Sequence, residues 1–309
     1  MTTTTHHDPS WRWKVIIAFA AVYIIWGSTY LAIRVGVQQL PPALFAGARF
    51  VIAGTLLAIY ARLSGQKFPT HLREWRTIAI TALFMLVGAN GLVVWGEQWV
   101  PSNQAALIVA TTALWLAGFG TLGSHGQKLS PRTVLGLAVG FFGAAMLLLP
   151  ENGFTLDHLW AQLAVLAACP LWAAGSMVAK RGQLTTPPLM VAAMQSLVAG
   201  IVFCSFGLAT GEAMHWSWPP QAMAALAYLI VFGSCFAYAA YIWLLHEVSP
   251  AALGTYAYIN PLVAVVLGWL LLQETLSAKQ LAGTVVILIG VMLVSISRPK
   301  ALAAPSQRT

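Results

Sequence analysis

Charge is what this sequence has least of. Only 8% of its 309 residues are charged, and Asp and Glu together number eight, against about 25% charged residues in an average soluble domain. A fold surrounded by water is therefore excluded for most of the chain. Cysteine is nearly as scarce. Cys169, Cys204 and Cys235 lie far apart inside apolar runs, which excludes a disulfide framework and the close spacing of a metal site. No H-E-x-x-H, P-loop or G-x-S-x-G occurs, so the common hydrolase and nucleotide motifs are missing. His125, His158, His215 and His246 fall in loops or at the ends of apolar runs. A membrane enzyme acting on lipid would need an acid, a histidine or a nucleophile pair within the runs, and none is grouped there. No enzyme, cofactor or metal is expected. Gly118-Phe119-Gly120-Thr121-Leu122-Gly123 matches the dinucleotide fingerprint in letters alone; it follows no strand and ends an apolar run.

What is present is apolar. Hydrophobic residues make up 59% of the chain, with a mean hydropathy of +0.77, so the solvent for most of it is lipid. The net charge of +8 comes from residues in short loops between apolar runs. That pattern orients membrane segments and does not bind nucleic acid. The first run, from about Val15 to Ile33, is too long for a signal-peptide core and reads as a retained span. Thr2 to Ser10, with His6 and His7, reads as a short tail.

Ten runs are long enough to span, near 15–34, 43–62, 77–97, 104–123, 133–150, 160–179, 189–209, 222–245, 250–272 and 280–297. Backbone groups in lipid must pair internally, so helices are expected. With the N-terminus inside, thirteen Lys and Arg residues fall on the cytoplasmic side and two, Arg34 and Lys279, on the outer side. Both termini are therefore expected in the cytoplasm.

The chain also repeats itself. A shift of 146 residues pairs Trp26 with Trp172, Gly36 with Gly182, Pro41-Pro42 with Pro187-Pro188, Gly54 with Gly200 and Gly65 with Gly211. Matches at Trp, Gly and Pro argue for an internal duplication. Five spans per repeat force opposite topologies, as in the inverted repeats of secondary transporters, where a midplane site lies between the halves. The expected fold is an all-α integral membrane protein: ten transmembrane helices in two inverted five-helix repeats around a central cavity. The divisions are a tail (1–14), a first repeat (15–150), an outer linker (151–159), a second repeat (160–297) and a second tail (298–309).

Away from residues such as Arg34 and Arg62 at their ends, the runs are nearly empty of charge: Arg49 lies within the second and Glu97 at the outer end of the third. Arg49 reads as a carboxylate anchor for substrate, or as a structural Arg bound to a helix end or snorkelling to headgroups. Its repeat mate is Gln195, so the site is asymmetric. Glu97 reads as part of an outer-surface ion pair. Substrate contacts are expected from Trp26, Tyr30, Asn90, Thr111, Thr112, Trp115, Trp172, Ser176, Tyr238, Tyr256, Tyr258, Asn260 and Pro261. Aromatic rings suit an apolar or aromatic substrate, and Pro261 can free backbone carbonyls near the midplane. Helix packing is the alternative for each of them singly. Trp11, Trp13, Trp75, Trp99, Trp160, Trp216 and Trp218 read as interface anchors. Gly136, Gly140, Gly143, Gly283 and Gly290 give flat faces, for packing in the scaffold or against a second copy of the chain.

Trp26-Gly27-Ser28, Ala48-Arg49-Phe50, Asn260-Pro261, Leu135-Gly136, Gln273-Glu274 and Ala282-Gly283-Thr284, taken with the topology, resemble the EamA branch of the drug/metabolite transporter superfamily over about residues 15–297. Trp115 departs from the family, many members of which carry Pro in span four. The resemblance implies an exporter of the bacterial inner membrane, with spans one to four and six to nine around the cavity and five and ten at its edge. Within the branch the YddG-type aromatic-amino-acid exporters are the nearest likeness. The implied partners are the lipid bilayer and a small-molecule substrate, an amino acid or similar metabolite. Export of other metabolites or drugs, and flipping of a lipid-linked sugar, are the alternatives. A phosphate-bearing cargo would call for more cavity Lys or Arg than Arg49, and a channel would call for charge rings that are missing.

Overall fold

The structure, a computed structural model, describes residues 9–120, 130–148, 158–182, 184–248 and 253–296. The second expected tail, the first eight residues, most of the 151–159 linker, Lys128, His125 and Thr121 to Gly123 lie outside the described residues. Every regular element among the described residues is helical. The elements are α1 (Trp11–Val37), α2 (Pro42–Leu63), α3 (Leu72–Gly96), α4 (Ser102–Val109), α5 (Thr112–Phe119), α6 (Pro131–Leu148), α7 (Leu159–Arg181), α8 (Pro188–Ala209), α9 (Pro220–Glu247), α10 (Tyr256–Leu272) and α11 (Ala278–Ile296). Six of them, α1 to α3 and α7 to α9, are long and apolar enough to cross a membrane. Helical conformation begins at Pro9, within the stretch expected as a tail.

The repeated residues do repeated work. Pro42 and Pro188 open α2 and α8, where the missing N–H costs no hydrogen bond. Gly65 and Gly211 follow their ends with φ of 81° and 78°, a conformation that penalises any side chain. Between these ends, α2 and α8 pack antiparallel through glycines. A Cβ on Gly47 would meet Cys204, one on Gly54 would meet Leu197, and one on Gly200 would meet Val51. α6 and α11 pack antiparallel in the same way: a Cβ on Gly143 would lie 2.6 Å from Ile287 N, and one on Gly290 would lie 2.4 Å from Gly140 N. The flat glycine faces are thus used within the chain, where small residues let backbones approach.

Hydrogen bonds show which helix ends share a face. On one face Trp11 Nε1 donates to Glu247 at 2.8 Å, Lys180 Nζ to the carbonyls of Leu245 and Val248, and the backbone and hydroxyls of Thr185 and Thr186 to Glu74. We call this face I. On the other, face II, Glu212 accepts from the first amides of α2, and Glu274 from Ser102 and Asn103 at the start of α4. Glu74, Glu212 and Glu274 each meet the positive end of a helix dipole or a turn rich in donors. The lateral surface is as apolar as the core, with Leu63, Ile201, Phe206, Phe236 and Trp269 all exposed. Such a surface is stable against lipid and not against water.

One expectation is corrected. The fourth run is not one helix but two, α4 and α5, broken at Ala110–Thr111. The Thr111 hydroxyl bonds back to Ile108 O at 2.8 Å and its amide to the same carbonyl at 3.1 Å, which tightens the turn there. Pro261 lies inside α10, where its missing N–H leaves one carbonyl of the preceding turn without its helical partner.

Candidate functional site

Three helices change their winding where they approach the centre. Ala21–Ile25 in α1, Leu83–Asn90 in α3 and Leu229–Tyr238 in α9 are π-helical, a wider coil that re-aims side chains and recurs at functional sites. The turns in α3 and α9, with the α4–α5 break, border a cavity of about 690 Å³, its open mouth included. Trp26, Thr29, Tyr30 and Ile33 line it from α1, Arg49 and Phe50 from α2, and Leu86, Ala89, Asn90 and Val93 from α3. Val109, Thr112, Ala168, Cys169, Trp172, Gly233, Tyr238 and Tyr256 complete the wall.

Arg49 is the charged group of this wall. It is 4% exposed. Its Nε donates to Ser234 Oγ on α9 at 2.8 Å, and its guanidinium carbon stands 4.8 Å from the centre of the Phe50 ring. Its Nη1 is buried with no partner among the described residues. A buried cation with unused donors is costly; Ser234 of α9 and Phe50 hold the guanidinium in place, and the two N–H groups of Nη1 are left for something else. Gly233 makes room for it: a Cβ there would lie 3.3 Å from Arg49 Nη2 and 3.1 Å from Thr29 Cγ2.

Aromatic rings form the wall toward face I. Trp26 stands 5.3 Å from Trp172, 4.9 Å from Tyr241 and 5.8 Å from Tyr256, centre to centre. Trp172 Nε1 donates to the Tyr241 hydroxyl at 3.0 Å, and Ser176 bonds the same oxygen at 2.9 Å. Edge and tilted ring contacts of this kind add about 0.5–1.5 kcal/mol each beyond burial.

Of the expected contacts, the structure gathers Trp26, Tyr30, Arg49, Asn90, Thr112, Trp172, Tyr238 and Tyr256 at one cavity. It places the others elsewhere. The Thr111 hydroxyl is spent on its own helix. Trp115 packs on Phe119 and Phe141, whose ring centres lie 5.9 and 5.2 Å away, outside the cavity. Ser176 acts behind the wall, on Tyr241. Asn260, with its amide nitrogen facing them, donates to the carbonyls of Tyr23 at 3.0 Å and Tyr256 at 3.2 Å, tying α10 to α1. Pro261 is buried beside it. The Tyr258 side chain lies outside the described residues. Gln195, the mate of Arg49, holds the wall by accepting from the Tyr238 hydroxyl at 2.7 Å. Thr29, Ile33, Phe50, Cys169 and Gly233 were missed. Helical spacing from Trp26 and Tyr30 pointed to Thr29 and Ile33; nothing local pointed to Gly233.

Glu97 also differs from its expectation. It lies in the turn just past α3 and is fully buried, and neither carboxylate oxygen has a hydrogen-bond partner among the described residues. Arg34 donates to its backbone carbonyl instead of pairing with the carboxylate. Burial pushes its carboxyl well above the usual carboxylate range; Arg34 opposes that rise, Glu274 adds to it and Arg49 opposes it. The folded protein therefore keeps this proton to higher pH than the unfolded chain. The stability it contributes is full below the ordinary carboxylate range, near 4.3 for Glu, and is lost as pH rises toward the raised value. Melting of the wild type in detergent is expected to fall more than melting of Glu97→Gln as pH rises above the ordinary carboxylate range; parallel curves would count against a neutral Glu97.

The "EamA-like transporter family" model matches residues 13–149 and 159–296. The chain is 38% identical to the "Uncharacterized inner membrane transporter YedA" of Escherichia coli strain K12, over 91% of this chain and 90% of that protein. It is 24% identical to the "Uncharacterized transporter YoaV" of Bacillus subtilis strain 168, over 91% and 96%. A solved crystal structure shares its fold with a TM-score of 0.66 at 19% identity, over 91% of this chain and 96% of that one. With the family model matching both halves and a relative at this identity aligned almost end to end, the chain belongs to the EamA-like transporter family.

Proposed function

We propose that this chain exports neutral amino acids, aromatic ones among them, across a bacterial inner membrane by alternating access. Its two halves act as inverted five-helix repeats, ten crossings in all, with both termini in the cytoplasm. The observation that carries the substrate reading is Arg49: a buried guanidinium, fixed by Ser234 and Phe50, with a free donor in an aromatic-lined cavity. A carboxylate is the ligand that such a donor takes best, and the rings suit an apolar or aromatic side chain. The antiparallel packing of α2 on α8, and of α6 on α11, supports inverted halves that rock about the cavity. The basic residues Arg12, Lys14, Arg62, Arg73, Arg76 and Lys180 sit at face I ends, which supports a cytoplasmic face I. Membership in a transporter family makes transport, and not catalysis, the activity to test.

The test is counterflow in proteoliposomes that follows entry of labelled phenylalanine. Internal loads of neutral amino acids are expected to accelerate entry, and phenethylamine, which lacks the carboxylate, to do so at least about tenfold less. If no load accelerates entry in protein shown to be folded, the amino-acid reading fails.

A further inference from the structure

Arg49 is one of three cavity-lining residues with an orphaned buried atom. Asn90 Oδ1 and Thr112 Oγ1 are likewise buried without a hydrogen-bond partner among the described residues, and both residues line the same cavity. No group among the described residues donates to either oxygen; the Cys169 thiol lies within reach of the Thr112 hydroxyl's hydrogen, which leaves the lone pairs of that oxygen free. Thr112 is 1% exposed and stands beside the Cys169 thiol, which itself donates to Ile108 O and Val165 O. The adjacent Thr111 shows the usual fate of a helix threonine, a bond to its own backbone; Thr112 makes none. Asn90 is the last residue of the π-helical turn of α3, and Thr112 follows the break between α4 and α5. Both irregularities thus end at a residue with a free oxygen. The oxygens are acceptors and Arg49 Nη1 is a donor. Buried polar atoms in native proteins are nearly always paired, so three orphans around one cavity ask for a ligand with complementary groups.

We propose that Asn90 and Thr112 form a subsite for the substrate's ammonium group, which makes the cavity selective for α-amino acids over simple carboxylates. This rests on the carrier reading above, with Arg49 holding the carboxylate. An ammonium has three donors and no acceptor; an amide oxygen and a hydroxyl oxygen satisfy two of them with no buried anion. A zwitterion adds no net charge, so with neutral oxygens the loaded cavity carries the single charge of Arg49 that it carries when empty. A deaminated analogue would leave both oxygens unpaired, and a site built to hydrogen-bond a group rejects the analogue that lacks it.

The experiment compares phenylalanine with 3-phenylpropionate, which keeps the ring and carboxylate and lacks the amine, as loads in counterflow of labelled phenylalanine. The wild type is expected to prefer phenylalanine at least about tenfold. In Asn90→Leu and Thr112→Val, near-isosteric and apolar, that ratio is expected to collapse toward one. A merely structural role would lower both rates and leave the ratio alone. Equal acceleration by the two loads in the wild type overturns the proposal without any variant, as does a ratio that survives in both variants. If neither load works in the wild type, the carrier reading itself falls, and that result is distinct because no ratio can be formed.

Discussion

Arg49→Gln is expected to slow counterflow of labelled phenylalanine at least about thirtyfold, the loss of a buried charge-assisted contact worth ~2–5 kcal/mol. The variant removes the one cavity donor that carries a full positive charge, and it leaves the aromatic wall standing. Arg49→Lys separates charge from geometry. A lysine keeps the charge but not the planar fork, so it cannot bond Ser234 and a carboxylate in the same arrangement; an intermediate rate is expected. If folded Arg49→Gln protein exchanges phenylalanine at the wild-type rate, the guanidinium is structural, as in the alternative that the sequence leaves open. Neither a helix end nor headgroups account for Arg49: its Nε partner is a side chain of α9, and it is buried in the cavity wall.

Gly200, like Gly290 between α6 and α11, should resist replacement. A Cβ on Gly200 would lie 2.6 Å from Val51 N and 3.0 Å from Phe50 C. Both obstacles are backbone, so no rotamer relieves the clash, and α2 and α8 must move apart. For Gly200→Ala we expect about 1–3 kcal/mol of destabilisation, a melting point about 2–12 °C lower in detergent. Gly200→Leu should yield no folded protein. Transport should fall even in the folded fraction of the alanine variant, because Val51 and Phe50 adjoin Arg49 along α2. Gly118→Ala is the control, since a Cβ there meets nothing within 4 Å among the described residues. Equal melting of the two alanine variants would mean that the α2–α8 contact is not the close one described.

Long apolar runs, scarce charge and a 146-residue shift in Trp, Gly and Pro determined by themselves that this chain is a helical, internally repeated membrane protein. Lipid leaves a backbone no other way to pair, and prolines and glycines act through local conformation that needs no partner. The cavity's aromatic members, Trp26, Tyr30, Trp172 and Tyr256, were legible for a related reason: large rings and polar tips in mid-span are costly to place idly. Tertiary structure alone decided which polar atoms stayed unpaired. Thr111 and Thr112 are neighbours of the same type, yet the turn at 110–111 spends one hydroxyl on the helix and leaves the other in the cavity. Trp115 packs on Phe141 of α6, outside the cavity. Asn260 became a tie between helices, and Glu97, expected at an outer ion pair, became a buried carboxyl beside an arginine that bonds its backbone instead. Pairing depends on what another helix brings within about 3 Å, and neither composition nor periodicity contains that distance.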